Sequence, residues 1–320
     1  MELFRLTQYL KGEIAMEKQV LSAQARKNRR KNNLGFFLYL LPVLVLYGVF
    51  KYWPIVYSLF LSFFKWNFVG KMKWVGLDNY LGMFGRESFM HALGNTGYYI
   101  LGLFPFFVLL PLALAVMVLA VRNSRVQNIN KVLLFMPNIL AFSIICMVWM
   151  WIFNPGFGLL NNVLKLFGHQ GYSWLSDERT ALFSVILVSG WKHIGANMIL
   201  FIAGLLTISQ DYIEAATIDG ANGWQAFWHI KWPLLAPTSV YLLTTSVIFA
   251  AERAFTPINI LTKGGPSETT TNLSHIIYRF GFEYFNIGLT SATAIFTAAL
   301  FFVLMFVMMK MTGGYGYYEN

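Results

Sequence analysis

Residues 214–233 read EAATIDGANGWQAFWHIKWP, from Glu214 to Pro233. Two acids, two closely spaced glycines and a crowd of aromatic residues sit here between long apolar runs. A chain built for lipid has no reason to place such a segment inside its hydrocarbon-crossing part, so the stretch belongs to a structured loop. What that loop is shaped for decides how the flanking runs are read.

The runs themselves set the class. The chain has 320 residues, of which 57% are hydrophobic, 18% aromatic and only 12% charged. Soluble domains carry about 25% charged residues. Several runs reach the roughly 20 residues needed to cross a bilayer core. A soluble all-α protein would need polar helix faces that these runs lack. The expectation is an all-α integral membrane protein with six spans near 34–57, 95–121, 131–153, 182–207, 236–261 and 287–311. The apolar region from Leu34 is too long for a cleaved leader and lacks a following cleavage pattern, so it reads as the first span.

The net charge of +10 is unevenly placed, with Arg26-Lys27-Asn28-Arg29-Arg30-Lys31 just before that span. Beside a membrane helix such a cluster reads as a cytoplasmic anchor rather than a nucleic-acid site. It puts both termini and the loop 209–235 on the cytoplasmic side. The domain reading is an N-terminal segment 1–33, a six-span domain 34–313 and a short tail 314–320. Leu3, Leu6, Leu10 and Ile14 fall at helical spacing, which suits either an interfacial helix or a tail.

Much chemistry is excluded. There is no phosphate-cradling G-x-x-x-x-G-K-[ST] and no metal-ligand spacing of histidines or cysteines. The single cysteine, Cys146, lies in an apolar run. No G-x-S-x-G supports a nucleophile, so an intramembrane hydrolase has little behind it. The chain is expected not to be an enzyme and to hold no cofactor.

Within the loop, Asp211 with Glu214 three residues on resembles a capping box opening a helix over Tyr212–Asp219. Gly220 suits the left-handed turn that ends it. Asn222-Gly223 reads as a second turn. Trp224, Phe227, Trp228 and Lys231 then share one face of a second helix. Pro233 and Pro237 bracket the entry to the next span. Small Ala215 and Ala216 permit close approach of another surface, and unpartnered aromatics mark an interaction site.

At this point the chain resembles the permease subunits of bacterial ABC importers, whose cytoplasmic motif is E-A-A, three residues, G, nine residues, I-x-L-P. Here Glu214-Ala215-Ala216, Gly220, and Ile230-Lys231-Trp232-Pro233 stand at those spacings, with Trp232 in place of leucine. Trp53-Pro54, Val75 to Tyr80, Trp191 with Ala203-Gly204-Leu205, and Leu261 to Pro266 are similar to the MalF-like carbohydrate-uptake branch, which also includes glycerol-phosphate permeases. The resemblance implies the type I importer permease fold, in the inner membrane of a bacterial cell. It also implies a coupling loop (Glu214, Ala215, Ala216, Asp219, Gly220, Gly223, Ile230, Pro233) seated on an ATPase. The implied partners are two ATPase subunits that bind ATP and Mg, a second homologous permease in a heterodimer, an extracytoplasmic solute-binding protein and a sugar.

The same resemblance assigns the fourth and fifth spans to the sugar pathway. Ionisable and polar residues inside spans default to a functional reading. The candidates are Lys192, His193 and Asn197, with Ser246, Ala250, Glu252 and Arg253. Competing readings are an ion pair or snorkelling for Glu252 and Arg253, an outward-reaching Lys192, and interhelical hydrogen bonding for His193, Asn197 and Ser246. If Lys192 and Arg253 both face the cavity, an anionic sugar is one expectation and a neutral sugar the other, since hydroxyls also pair with charged side chains and sugars stack on aromatic rings. The rival function is an ion-coupled secondary transporter or channel.

Overall fold

The computed structural model describes residues 39–312. The expected N-terminal segment 1–33 and tail 314–320 lie outside the described residues. The chain divides into two compact units, residues 1–60 and 61–320. The described part of the first is a single helix, α1 (Tyr39–Leu61), whose last residue belongs to the second unit. No part of its apolar window is buried, as suits a helix surrounded by lipid.

The second unit begins with a short antiparallel hairpin, β1 (Phe64–Lys65) and β2 (Lys73–Trp74), which pairs Phe64 with Trp74 and Lys65 with Lys73. Expectation had no strand here. Trp74 stacks on Phe63 at 5.6 Å and meets Phe64 edge-on at 5.0 Å, and such cross-strand aromatic contacts hold short hairpins together. A short helix α2 (Asp78–Phe84) follows.

The long helix α3 (Glu87–Ala120) begins eight residues before the expected span and includes a π-helical turn at Pro105–Leu109. Pro105 lacks the N–H that a regular helix would use, which favours the local change of hydrogen bonding. The expected span at 131–153 corresponds to two helices, α4 (Ser124–Ile139) and α5 (Phe142–Ile152), bent by 97°. Pro137 near the end of α4 supplies the physical cause.

After α6 (Leu159–Leu166) comes α7 (Ala181–Leu206), the most deeply buried span. It packs on the second half of α3 and on α4. A Cβ on Gly195 would lie 1.9 Å from the Leu134 carbonyl oxygen, so only glycine allows α7 and α4 to meet so closely. The loop helices α8 (Gln210–Ile218) and α9 (Gly223–Leu234) lead into α10 (Ala236–Arg253), bent 63° from α9. Two short helices, α11 (Phe255–Leu261) and α12 (Leu273–Tyr278), precede the last span, α13 (Ile287–Thr312).

Among the described residues, four helices are thus long and apolar enough to cross a membrane, and six when each bent pair is taken as one span. The main core gathers Tyr99, Leu103, Phe107, Met198, Phe201 and Leu242. A second cluster joins Phe89, Leu273, Phe280 and Phe301.

Candidate functional site

The loop is a two-helix tip. Ser209, not Asp211, caps α8: its Oγ accepts the Asp211 N–H at 3.3 Å. Asp211 therefore sits inside the first turn, where its charge favours the helix N-terminus. The capping box falls on the second helix instead. Asn222 Oδ1 accepts the Gln225 N–H at 2.9 Å and Gln225 Oε1 accepts the Asn222 N–H at 2.9 Å. Asn222-Gly223 thus opens a helix rather than forming a second turn. Gly220 holds a φ of +83°, the left-handed conformation expected of it.

A π-helical turn at Phe227–Lys231 shifts the register of α9, so the expected single aromatic face is split. Phe227 and Trp232 pack onto the core. Trp224 and Trp228 stay outside, edge to face at 5.6 Å. Ile218 is 86% and Trp224 70% exposed, which makes the tip apolar. Glu214, Ala215, Asp219, Gly223 and Pro233 are exposed, while Ala216 and Ile230 are half-buried. A cleft of about 300 Å³ between the two helices is lined by Asp219, Gly220, Gln225, His229 and Ile230.

The span residues separate into two groups. Lys192 is turned into the bend between α4 and α5. Its Nζ donates to the carbonyl oxygens of Pro137 at 3.3 Å, Asn138 at 3.0 Å and Leu140 at 2.7 Å. It also lies 5.7 Å from the Phe142 ring centroid. These carbonyls belong to the end of α4 and have no helical partner, and in lipid each needs one. The expectation that Lys192 presents its charge to a pathway is corrected: the ammonium is occupied as a helix-end clamp.

His193 and Asn197, one turn apart, remain with the cavity-facing candidates. His193 Nδ1 pairs with the Ser189 carbonyl at 2.8 Å, so that nitrogen carries the proton. Its ring is enclosed by Phe249 at 4.8 Å, Phe107 at 5.4 Å and Phe142 at 6.2 Å. Asn197 is buried, and its Nδ2 has no hydrogen-bond acceptor among the described residues. Buried amides rarely stay unpaired without a reason. Ser246 is buried but donates to the Leu243 carbonyl of its own helix at 2.7 Å. Ala250 is fully buried. Glu252 and Arg253 are exposed and do not pair with each other, so the ion-pair alternative falls away.

Sequence reading missed the aromatic enclosure. Phe107 and Phe249 each sit in a π-helical turn, at Pro105–Leu109 and Phe249–Arg253. Such turns are frequent at functional positions. Only Pro105 carried a local signal. Missed too was the anchoring of the segment 262–286. Asn95 Nδ2 donates to the carbonyls of Glu268 and Thr271 at 2.9 and 3.0 Å, and the Tyr99 hydroxyl to Thr270 at 3.0 Å. Asn272 Nδ2 reaches the Ala250 carbonyl at 2.9 Å, next to Phe249.

A bundle of six spans with an exposed two-helix tip between the fourth and fifth is the architecture of an importer permease. The profile of the binding-protein-dependent transport system inner membrane component family matches residues 80–311, and the chain belongs to that family. It is 34% identical to the sn-glycerol-3-phosphate transport system permease protein UgpA of Brucella abortus, over 85% of this chain and 92% of that one. It is 32% identical to the probable ABC transporter permease protein YesP of Bacillus subtilis, over 91% and 94%. Among solved structures it is similar to a chain of a bacterial ABC transporter involved in the import of the acidic polysaccharide alginate. That match has 26% identity and a TM-score of 0.77, and covers 88% of this chain and 96% of that one. A chain of a bacterial alginate ABC transporter in complex with an alginate-pentasaccharide-bound periplasmic protein matches at 25% identity and a TM-score of 0.78, over 88% and 95%.

Proposed function

We propose that the chain is the membrane-spanning subunit of an ATP-driven importer, forming a passage for a sugar or oligosaccharide handed over by an extracytoplasmic binding protein. The observation that carries this reading is the two-helix tip at 209–235, rigidly capped, apolar and exposed, on a chain of this family. A lever of that kind transmits motion from a partner that changes shape on binding ATP. Glu214, Ala215, Ala216, Asp219, Gly220, Gly223, Ile230 and Pro233 are its coupling residues. ATP and Mg are held by the partner ATPases, two per assembly, and a paralogous permease completes the passage. The tip and both termini face the cytoplasm.

The passage is lined by His193 and Asn197, with the half-buried Phe142 offering a ring on which a sugar can stack and the buried Phe107 and Phe249 packed behind His193. Ser246 and Ala250 shape the wall, and Glu252 and Arg253 stand at one end. With Lys192 occupied, Arg253 is the cation left for an anionic sugar. The substrates named for its relatives, a glycerol phosphate and an acidic polysaccharide, favour such a substrate. The test is uptake of acidic and neutral glycans by the reconstituted assembly. Loss of acidic-glycan uptake in Arg253→Gln is expected, and unchanged uptake overturns the charge assignment. Stable, active protein without a co-purifying ATPase would favour the ion-coupled reading and sink the ATP-driven one.

A further inference from the structure

The hairpin that follows α1 sets two lysines directly opposite one another, Lys65 on β1 and Lys73 on β2. Like charges across a strand pair are destabilising. Arg86, the residue before α3, lines the same cleft of about 360 Å³, together with Asn79 and Asn286. An adjoining cleft of about 310 Å³ shares Lys65, Lys73 and Asn286, and adds Lys71, Trp66 and Tyr284. None of the ion pairs among the described residues involves these four cations, although Asp78 lines the first cleft.

The position of the clefts narrows the occupant. Arg86 immediately precedes α3 and Asn286 immediately precedes α13, so both clefts lie at the level where two spans begin. That end of the bundle is opposite the 209–235 loop, because α13 starts where α10 and α11 finish. Trp66 and Tyr284 are residue types favoured at the headgroup level of a membrane. Trp74, Leu77 and Leu81, sequence neighbours of the cleft residues Lys73, Asp78 and Gly82, are 61%, 60% and 71% exposed, so apolar surface accompanies the basic hollow. A basic hollow of this size fits one phosphate-bearing group rather than the broad acidic face of a folded protein, and the apolar surface suits acyl chains.

We propose that this paired cleft is a binding site for the headgroup phosphate of an anionic phospholipid, held by Lys65, Lys73 and Arg86, with Lys71 beside them. The occupied site relieves the Lys65–Lys73 repulsion and ties the hairpin to the α3 and α13 ends. It rests on the membrane-spanning fold and not on what the passage carries.

The experiment places the complete purified assembly in nanodiscs of phosphatidylcholine with and without phosphatidylglycerol, then counts retained lipid by native mass spectrometry after transfer to detergent. Wild type is expected to retain phosphatidylglycerol in preference to phosphatidylcholine. At roughly a five-fold contribution per cation near an anionic surface, K65Q/K73Q/R86Q should lower retention about 100-fold. K165Q, outside the clefts, should leave it unchanged. If the triple variant fails to assemble, K73Q and R86Q alone should each show the single-cation loss. Undiminished retention in these variants overturns the proposal. Displacement of the lipid by inorganic phosphate overturns it in favour of a free-phosphate site. Lost stimulation of ATP hydrolysis by the binding protein, with lipid retention unchanged, overturns it in favour of protein docking. Lipid retention is read independently of transport, so failure here and failure of the transport reading are distinguishable.

Discussion

Asn197 and Lys192 lie five residues apart on one helix and illustrate opposite fates of a buried polar group. Lys192 satisfies three carbonyls at once. Lys192→Met should therefore destabilise the solubilised assembly by about 2–4 kcal/mol, seen as a lower midpoint in thermal unfolding, since the freed carbonyls stay buried. An unchanged midpoint would show that the carbonyls find other donors. The Asn197 Nδ2 has no acceptor among the described residues. Replacing an unpaired buried amide by an apolar group of similar shape is close to neutral for stability. Asn197→Leu should accordingly unfold like wild type while substrate affinity falls about ten-fold, the worth of one or two neutral hydrogen bonds. A change in unfolding with intact affinity would make Asn197 structural. Gly195→Ala drives a methyl into the Leu134 backbone and should cost about 1–3 kcal/mol or more, again by thermal unfolding.

At the scale of elements, the lever proposed for the loop 209–235 works only while its two helices keep their angle. Gly220 sets that angle through a left-handed φ of +83°, and proline is locked to negative φ. Gly220→Pro should abolish the coupling of ATP hydrolysis to transport while span insertion, measured by protease accessibility of the loops, persists. Asn222→Ala removes the capping box and should cost about 1 kcal/mol of local stability, visible as faster amide exchange in α9. Element boundaries of this kind were partly legible in the sequence. Apolar runs are additive along the chain, so the spans could be counted, and a turn glycine acts on its own neighbours, so Gly220 could be placed. The 97° bend had its signal in Pro137, but what stabilises it comes from Lys192, more than fifty residues away. The displaced cap at Ser209 and the split aromatic face of α9 depend on a competition between neighbouring acceptors and on a π-turn without a motif. The enclosure of His193 draws on three helices at once, which no local pattern records.

At the scale of the whole molecule, the segment 262–286 is held by bonds from α3 to residues more than 170 positions away. His275 lies buried within it. Burial chiefly, and then the positive charge of Arg279, push its pKa down to about 4, against weaker upward pulls from Glu283 and Glu268. An unfolded histidine titrates near 6.5. Between about 6.5 and about 4 the unfolded segment therefore binds more protons than the folded one, and its stability falls as pH falls through that window. Amide-exchange protection across 262–286 should decline over that range, and His275→Phe should flatten the decline. Equal slopes in the two proteins would remove His275 as the cause.

The clamp at the α4–α5 bend also bears on how the chain is made. Synthesis is directional, and the carbonyls of residues 137, 138 and 140 reach the membrane long before Lys192 leaves the ribosome. Hydrocarbon offers them no donor in the interval. The third span must therefore wait, either in the wet interior of the insertion machinery or beside a chaperone, until the fourth arrives to close its bend. Nascent chains stopped before residue 192 should remain crosslinkable to the translocon, and those extended past α7 should be released into lipid.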